Sequence, residues 1–380
     1  MKTQIYVHIP FCAKKCAYCD FESYAGRLDQ ADEYLNHVLA EARAAREQYG
    51  LLGVSSVYIG GGTPSLLSAE QIRRLFDGLS NSFQMENGAE VSMEANPGTV
   101  TKEKLKSALE SGVNRLSFGA QAAQERLLGM LGRIHLWPDV EKAVETARDT
   151  GFDNYNLDLM YALPGQSKDD FAESIEWALK LNPAHLSCYS LILEEGTPLF
   201  ERVQRGELTP PGEDADVEMQ RLAAEICEKN GLSRYEISNY ARPGMECRHN
   251  IGYWTRENYL GLGCAAHSLM NEIRFSNPDY ARYMNGETRV EEEIISAREA
   301  MEESVMLETR MSRGLDLLRF ERLYGSEMRI RIVRAGEELQ KMGLARLKAD
   351  SLSLTPRGMD VQNAAVLKLI NALDGKEYAV

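Results

Sequence analysis

The sequence predicts an α/β fold: a partial (β/α)6 barrel followed by a mainly helical, winged-helix-like C-terminal domain. Three observations carry this reading. About six strand-like runs alternate with helix-period segments up to residue 191, and strands separated by helices build parallel sheets. Serial right-handed units of this kind curl into a full or partial barrel. The chemically unusual residues fall at or just after the strand ends, where such barrels place their active sites.

In chain order, Ile5–Ile9 reads as the first strand and runs into a cysteine-rich loop. Residues 29–49 read as a helix, with Tyr34, Leu35, Val38, Leu39 and Ala42 at helical spacing. Val54–Ile59 reads as a strand that ends in Gly60-Gly61-Gly62-Thr63-Pro64. Ser68 followed by Gln71 resembles a capping box that opens the next helix. Strands are expected at 91–95, 113–118, 155–159 and 185–191, with helices at 101–109, 125–131, 140–148 and 169–181 between them. After Thr209-Pro-Pro-Gly212 the pattern changes. A helix over 214–229 leads into polar and aromatic stretches, and the tail from Ile294 reads as helices closed by two short strands. The expected division is 1–235 for the barrel, 236–290 for a connecting segment and 291–380 for the C-terminal domain. The locally basic run from Arg313 to Lys348 has acidic residues interleaved and reads as a solvated helix face.

Composition narrows the class. A chain of 380 residues accommodates a barrel of about 250 residues plus an appendage. The net charge of −14 argues against a nucleic-acid partner. The odd count of seven cysteines, without paired spacing, argues against a disulfide framework and for a reducing compartment. No run of 18 apolar residues and no signal-like start is present, so a cytoplasmic protein is expected.

The chemistry concentrates in Cys12-Ala-Lys-Lys-Cys16-Ala-Tyr18-Cys19, a C-x3-C-x2-C spacing. Three thiolates this close can hold one metal centre. Zinc usually takes a fourth Cys or His with its own spacing, and no such partner is evident. A [4Fe–4S] cubane has four irons, so three cysteines leave one iron open to a ligand with an amine and a carboxylate. The triple glycine allows close backbone approach to a ligand, or serves as a tight turn. Glu94 can accept from an ammonium or from hydroxyls, or cap a strand end. Gln121, Arg133 and Asp158 follow at strand ends or in the loops after them.

C-x3-C-x2-C after a first strand resembles the signature of the radical S-adenosylmethionine (SAM) proteins. The wording Tyr6-Val-His8-Ile-Pro10-Phe11-Cys12 is similar to the branch that contains oxygen-independent coproporphyrinogen III oxidase and the HemW-type heme chaperones. The resemblance implies that Cys12, Cys16 and Cys19 ligate a [4Fe–4S] cluster. It implies SAM contacts from Tyr6, Tyr18, Gly61, Gly62, Thr63, Glu94, Gln121, Arg133 and Asp158. An arginine fork suits the SAM carboxylate, and Asp158 suits the ribose hydroxyls. In the family, a reduced cluster cleaves SAM to methionine and a deoxyadenosyl radical, so an electron donor is implied as a partner.

Two departures separate the relatives. The oxidases carry a further cysteine two positions after the third; here that position is Phe21. They also carry a longer segment ahead of the cluster. The segment His249-Asn250-Ile-Gly-Tyr253-Trp254 matches the H-N-x-x-Y-W motif of the heme-chaperone branch. It implies heme as cargo, bound through His249, Asn250, Tyr253 and Trp254, although these residues could instead close a loop over the barrel mouth. Cys247 and His267 are weaker candidates for a second heme ligand. The resemblance further implies heme-accepting partners, respiratory or heme-storage proteins, at a membrane in some cases. It assigns no catalytic residue. The alternative is a decarboxylase of porphyrinogen propionates.

Overall fold

A computed structural model describes residues 2–374. The chain forms two compact units. The first comprises residues up to Ser233, Tyr240–His249 and Asn258–Glu293; the second comprises Arg234–Asn239, Asn250–Glu257 and the remainder from Ile294. The expected 236–290 segment is therefore shared between the two units, most of it going to the first. The last residues of the expected 291–380 domain, 375–380, lie outside the described residues.

Six parallel strands form the heart of the first unit: β1 Lys2–Ile9, β2 Gly53–Gly61, β3 Gln84–Ala95, β4 Arg115–Gln121, β5 Tyr155–Tyr161 and β6 His185–Ser190. They pair in sequence order. The helices α1 Ala31–Tyr49, α2 Ala69–Ser82, α3 Lys102–Glu110, α4 Glu125–Leu131, α5 Trp137–Thr150, α6 Lys168–Lys180, α7 Pro198–Gln204 and α8 Glu213–Lys229 complete the first unit's α-helical layer up to residue 229. Alternate strand residues such as Ile5, Val7, Val57 and Leu157 are fully buried in the main apolar core, together with Tyr34, Val38 and Leu79 from the helices. The other faces of the strands carry polar side chains: Gln4, Ser56, Glu90, Ser92, Arg115, Asn156 and His185 are all buried. The strand period of two thus separates an apolar layer under the helices from a polar interior.

The local signals hold up. Ser68 accepts from the backbone of Gln71 while the Gln71 side chain reaches back, a complete capping box. Thr101 caps α3 by accepting from the Lys104 N–H, and Ser167 forms a capping box with Asp170 at the start of α6. The sheet also extends beyond the six expected strands. β7 Asn258–Leu262 adds parallel to the free edge of β1, with Tyr6 opposite Gly261. β8 His267–Met270 and β9 Ile273–Ser276 follow antiparallel, and β10 Val290–Ile294 ends the order.

In the second unit, α9 Ala297–Glu308, α10 Leu317–Tyr324, α11 Ser326–Lys341 and α12 Gln362–Leu373 surround a small antiparallel sheet. Its strands are Leu315–Asp316, Ser351–Leu354 and Ala345–Leu347, in that order. Helix, strand, helix, helix and two strands in this succession make the winged-helix-like pattern. Val305, Leu317, Ile332, Leu339, Leu352 and Leu369 form its own core, each fully buried. Among the described residues, no helix is long and apolar enough to cross a membrane.

Candidate cofactor site

At the C-terminal ends of β1 to β6 the strands open onto a cavity of about 400 Å³. Cys12, Cys16, Cys19, Tyr18, Gly61, Gly62, Thr63, Glu94, Gln121, Arg133 and Asp158 all line it. Residues from six separate stretches of sequence thus meet in one place.

The cysteine loop is held by backbone bonds on both sides. Ala17 donates to the Leu131 carbonyl at 2.9 Å, and its own carbonyl accepts from Leu199 at 2.8 Å. His8 Nε2 meets the Glu22 carbonyl at 2.7 Å just beyond the third cysteine. Thr63 donates to the Cys12 sulfur at 3.6 Å, and Arg133 donates to the Cys16 sulfur at 3.5 Å. Burial raises the thiol pKa values of Cys12 and Cys19. Among the described residues, no group of three or more His, Cys, Asp or Glu could share a single metal ion. In a cluster each thiolate takes its own iron.

The triple glycine is a device for close approach. A Cβ on Gly62 would lie 2.8 Å from the carbonyl oxygens of Ile9 and Phe11, and its N–H donates to Ile9 at 2.8 Å. Gly61 has φ of +105° and lies against the His8 ring. Its N–H donates to Glu94 Oε2 at 3.1 Å, while the Tyr58 hydroxyl donates to Oε1 at 2.9 Å. Enclosure within the barrel, then the nearby Asp158, raises the Glu94 pKa to about 7. Asp158 accepts from Ser117 at 3.1 Å and from Asn156 at 2.8 Å; burial raises its pKa.

Gln121 takes a left-handed φ of +68° at a register shift in β4, and its side-chain oxygen accepts from Tyr189 at 2.9 Å. Arg133 donates to the Gly119 carbonyl at 2.7 Å. Its buried Nε has no hydrogen-bond partner among the described residues, which leaves a donor beside the cysteines for a ligand carboxylate. The residues present therefore fit a cluster with SAM.

Five other expected positions lie elsewhere. Tyr6 is absent from the cavity lining, because its hydroxyl meets His8 Nδ1 at 3.1 Å and its ring lies against Tyr58. His249 is 1% exposed, deep in the polar interior of the first unit, with Nδ1 2.9 Å from the Ser56 hydroxyl. Burial, then the Arg115 charge, lowers its pKa to about 3, so the imidazole is neutral. In the second unit, the ring of Trp254 lies 4.6 Å from the Arg310 guanidinium carbon. Asn250 and Tyr253 fall in the same short helix, Arg248–Trp254. Of the weaker candidates, Cys247 is buried and His267 is exposed. Sequence reasoning missed Ser117 and Tyr189 as cavity residues. Both sit on strands already recognised, and period-two alternation from Gly119 and Ser187 was the available signal.

A model of the radical SAM superfamily matches residues 6–178, and one of the HemN C-terminal domain matches residues 295–361. The heme chaperone HemW of Bacillus subtilis is 36% identical over 93% of this chain and 95% of its own length. That of Mycobacterium tuberculosis is 36% identical over 96% and 94%. That of Escherichia coli is 39% identical over 69% of each. Among solved structures, the coproporphyrinogen III oxidase HemN of Escherichia coli superposes with a TM-score of 0.81 at 23% identity, over 98% of this chain and 90% of that one. This last likeness shows the fold.

Proposed function

Because the chain belongs to the HemW family of radical SAM proteins, we propose that it binds heme beside a SAM-liganded [4Fe–4S] cluster and delivers the heme to acceptor proteins. The observation that carries this is the end-to-end similarity to proteins named heme chaperones. Phe21 supports it, occupying the cavity position where an oxidase is expected to carry a further cysteine.

In this reading Cys12, Cys16 and Cys19 hold the cluster and leave one iron for the ligand. Gly61, Gly62, Thr63 and Glu94 receive the SAM amine, Arg133 takes the carboxylate, and Asp158 takes the ribose hydroxyls. Tyr18 and Gln121 wall the remaining space. When bound, the cluster and SAM supply one-electron chemistry at the sulfonium; the chain's own work is to orient the ligand and exclude water. For His249 to reach heme iron, its imidazole must leave Ser56. Tyr253 and Trp254 offer aromatic faces to a porphyrin. Acceptors of the respiratory or heme-storage kind, an electron donor for the cluster and a cytoplasmic setting complete the proposal.

Anaerobic incubation with coproporphyrinogen, SAM and a reductant tests the reading: no vinyl product is expected, and its formation would overturn a chaperone-only role. Heme titration should shift the Soret band at micromolar protein, and a chain that binds no heme ends the proposal.

A further inference from the structure

The polar interior of the first unit links His249 to the cofactor cavity through one strand pair. Glu90 and Glu94 lie on the same face of β3 by strand alternation. Glu90 accepts from the backbone N–H groups of Arg248 at 2.9 Å and His249 at 3.2 Å, which fixes the start of the short helix. Ser56 and Tyr58 share a face of β2 in the same manner. Ser56 orients the His249 imidazole, and the ring stacks on Tyr58 with centroids 5.2 Å apart and planes at 29°. The Tyr6 ring also lies along Tyr58, at 6.4 Å and 22°. Tyr58, flanked by these rings, places its hydroxyl 2.9 Å from Glu94 Oε1. Glu94 faces the cavity.

We infer that His249 is a positioning residue of the SAM site: its ring holds Tyr58 so that the tyrosine hydroxyl fixes the Glu94 carboxylate toward the ligand amine. This rests on the reading of Glu94 as the group that receives the SAM amine. A histidine suits the role because it is flat, neutral when buried, and carries a ring nitrogen that Ser56 can anchor. Without that backing, Tyr58 regains ring freedom and must lose it again on binding.

The test measures SAM dissociation constants by equilibrium dialysis on the full-length protein with its cluster reconstituted anaerobically. Iron content and the urea midpoint are recorded for each variant. Tyr58→Phe and His249→Ala should each weaken SAM about tenfold, the effect of one lost hydrogen bond to a charged group. His249→Phe keeps the flat ring and should stay within about threefold of wild type, whereas a general structural role would impair both His249 variants alike. Should His249→Ala not fold, His249→Leu, which fills the volume without a flat face, replaces it with the same expected loss. Wild-type affinity in Tyr58→Phe, or in the folded Ala or Leu variant, overturns the inference. Glu94→Gln separates the two levels. If it binds SAM as wild type does, the site reading falls and the inference with it. If it weakens SAM while the Tyr58 and His249 variants do not, only the inference falls.

Discussion

Gly62→Ala is a small perturbation with a large expected effect. The added methyl would stand 2.8 Å from two carbonyl oxygens and 3.0 Å from the Phe11 nitrogen, all of them backbone atoms. None can swing away as a side chain would, so β2 must part from the segment that leads into Cys12. Overpacking of this kind costs about 1–3 kcal/mol. The hydrogen bond from Gly62 to Ile9 at 2.8 Å is strained as well, for about 0.5–1.5 kcal/mol more. A total of about 1.5–4.5 kcal/mol follows. Because the displaced atoms border the cavity, SAM affinity should fall at least about tenfold, the equivalent of 1.4 kcal/mol. Urea unfolding and equilibrium dialysis measure the two effects. Gly129→Ala is the control: that glycine is helical and exposed, and a Cβ there meets nothing within 4 Å. It should leave binding unchanged and stability equal or slightly higher. If Gly62→Ala keeps the wild-type midpoint and the wild-type SAM affinity, the close-approach role of the triple glycine is refuted.

Other outcomes follow from the same geometry. Glu94 ionises only near pH 7, because its enclosure and Asp158 raise it from 4.5. The ionised form is the stronger acceptor for the amine N–H groups, so SAM affinity should rise with pH, steeply below about 7 and weakly above it; Glu94→Gln should abolish the trend, as dialysis across pH 6–8 would reveal. The same shift makes the native state bind this proton more tightly than the unfolded chain, so Glu94's contribution to stability falls as pH rises from 4.5 to about 7. Arg133→Lys keeps the charge but loses the fork that spans the Gly119 carbonyl and the Cys16 sulfur. SAM binding should weaken about tenfold or more, with iron content retained. Ser68→Ala removes one half of the α2 capping box and should cost about 1 kcal/mol by urea unfolding while SAM binding is preserved.

Much of the fold was legible because β1 to β6 and their helices obey local rules: periodicity of 2 or 3.6, the cap at Ser68, and glycines after strands. The cysteine spacing and the strand-end positions of Glu94 and Asp158 marked the cavity before any coordinates. β7 to β9 were not legible. Asn258-Tyr-Leu-Gly-Leu262 is short, runs straight into Gly263-Cys264, and takes its strand character from pairing with β1 across some 250 residues of chain. The same non-local cause hid the place of His249. A histidine beside tyrosine and tryptophan in sequence reads as an exposed ligand set. Only the tertiary fold brings Ser56, Tyr58 and Glu90 around it.

That placement changes what the motif can mean. If His249 is to ligate heme iron, the imidazole must give up Ser56 and its stack on Tyr58, and the support of Glu94 goes with them. Linkage is reciprocal: whatever heme ligation by His249 takes from SAM affinity, bound SAM must take equally from heme affinity. A protein that holds heme through His249 should therefore bind heme more weakly when saturated with SAM. A heme site that uses another ligand, such as the exposed His267, would leave the two affinities independent. Heme titrations with and without saturating SAM distinguish the cases, and Tyr58→Phe should reduce the coupling if the path through Glu94 carries it.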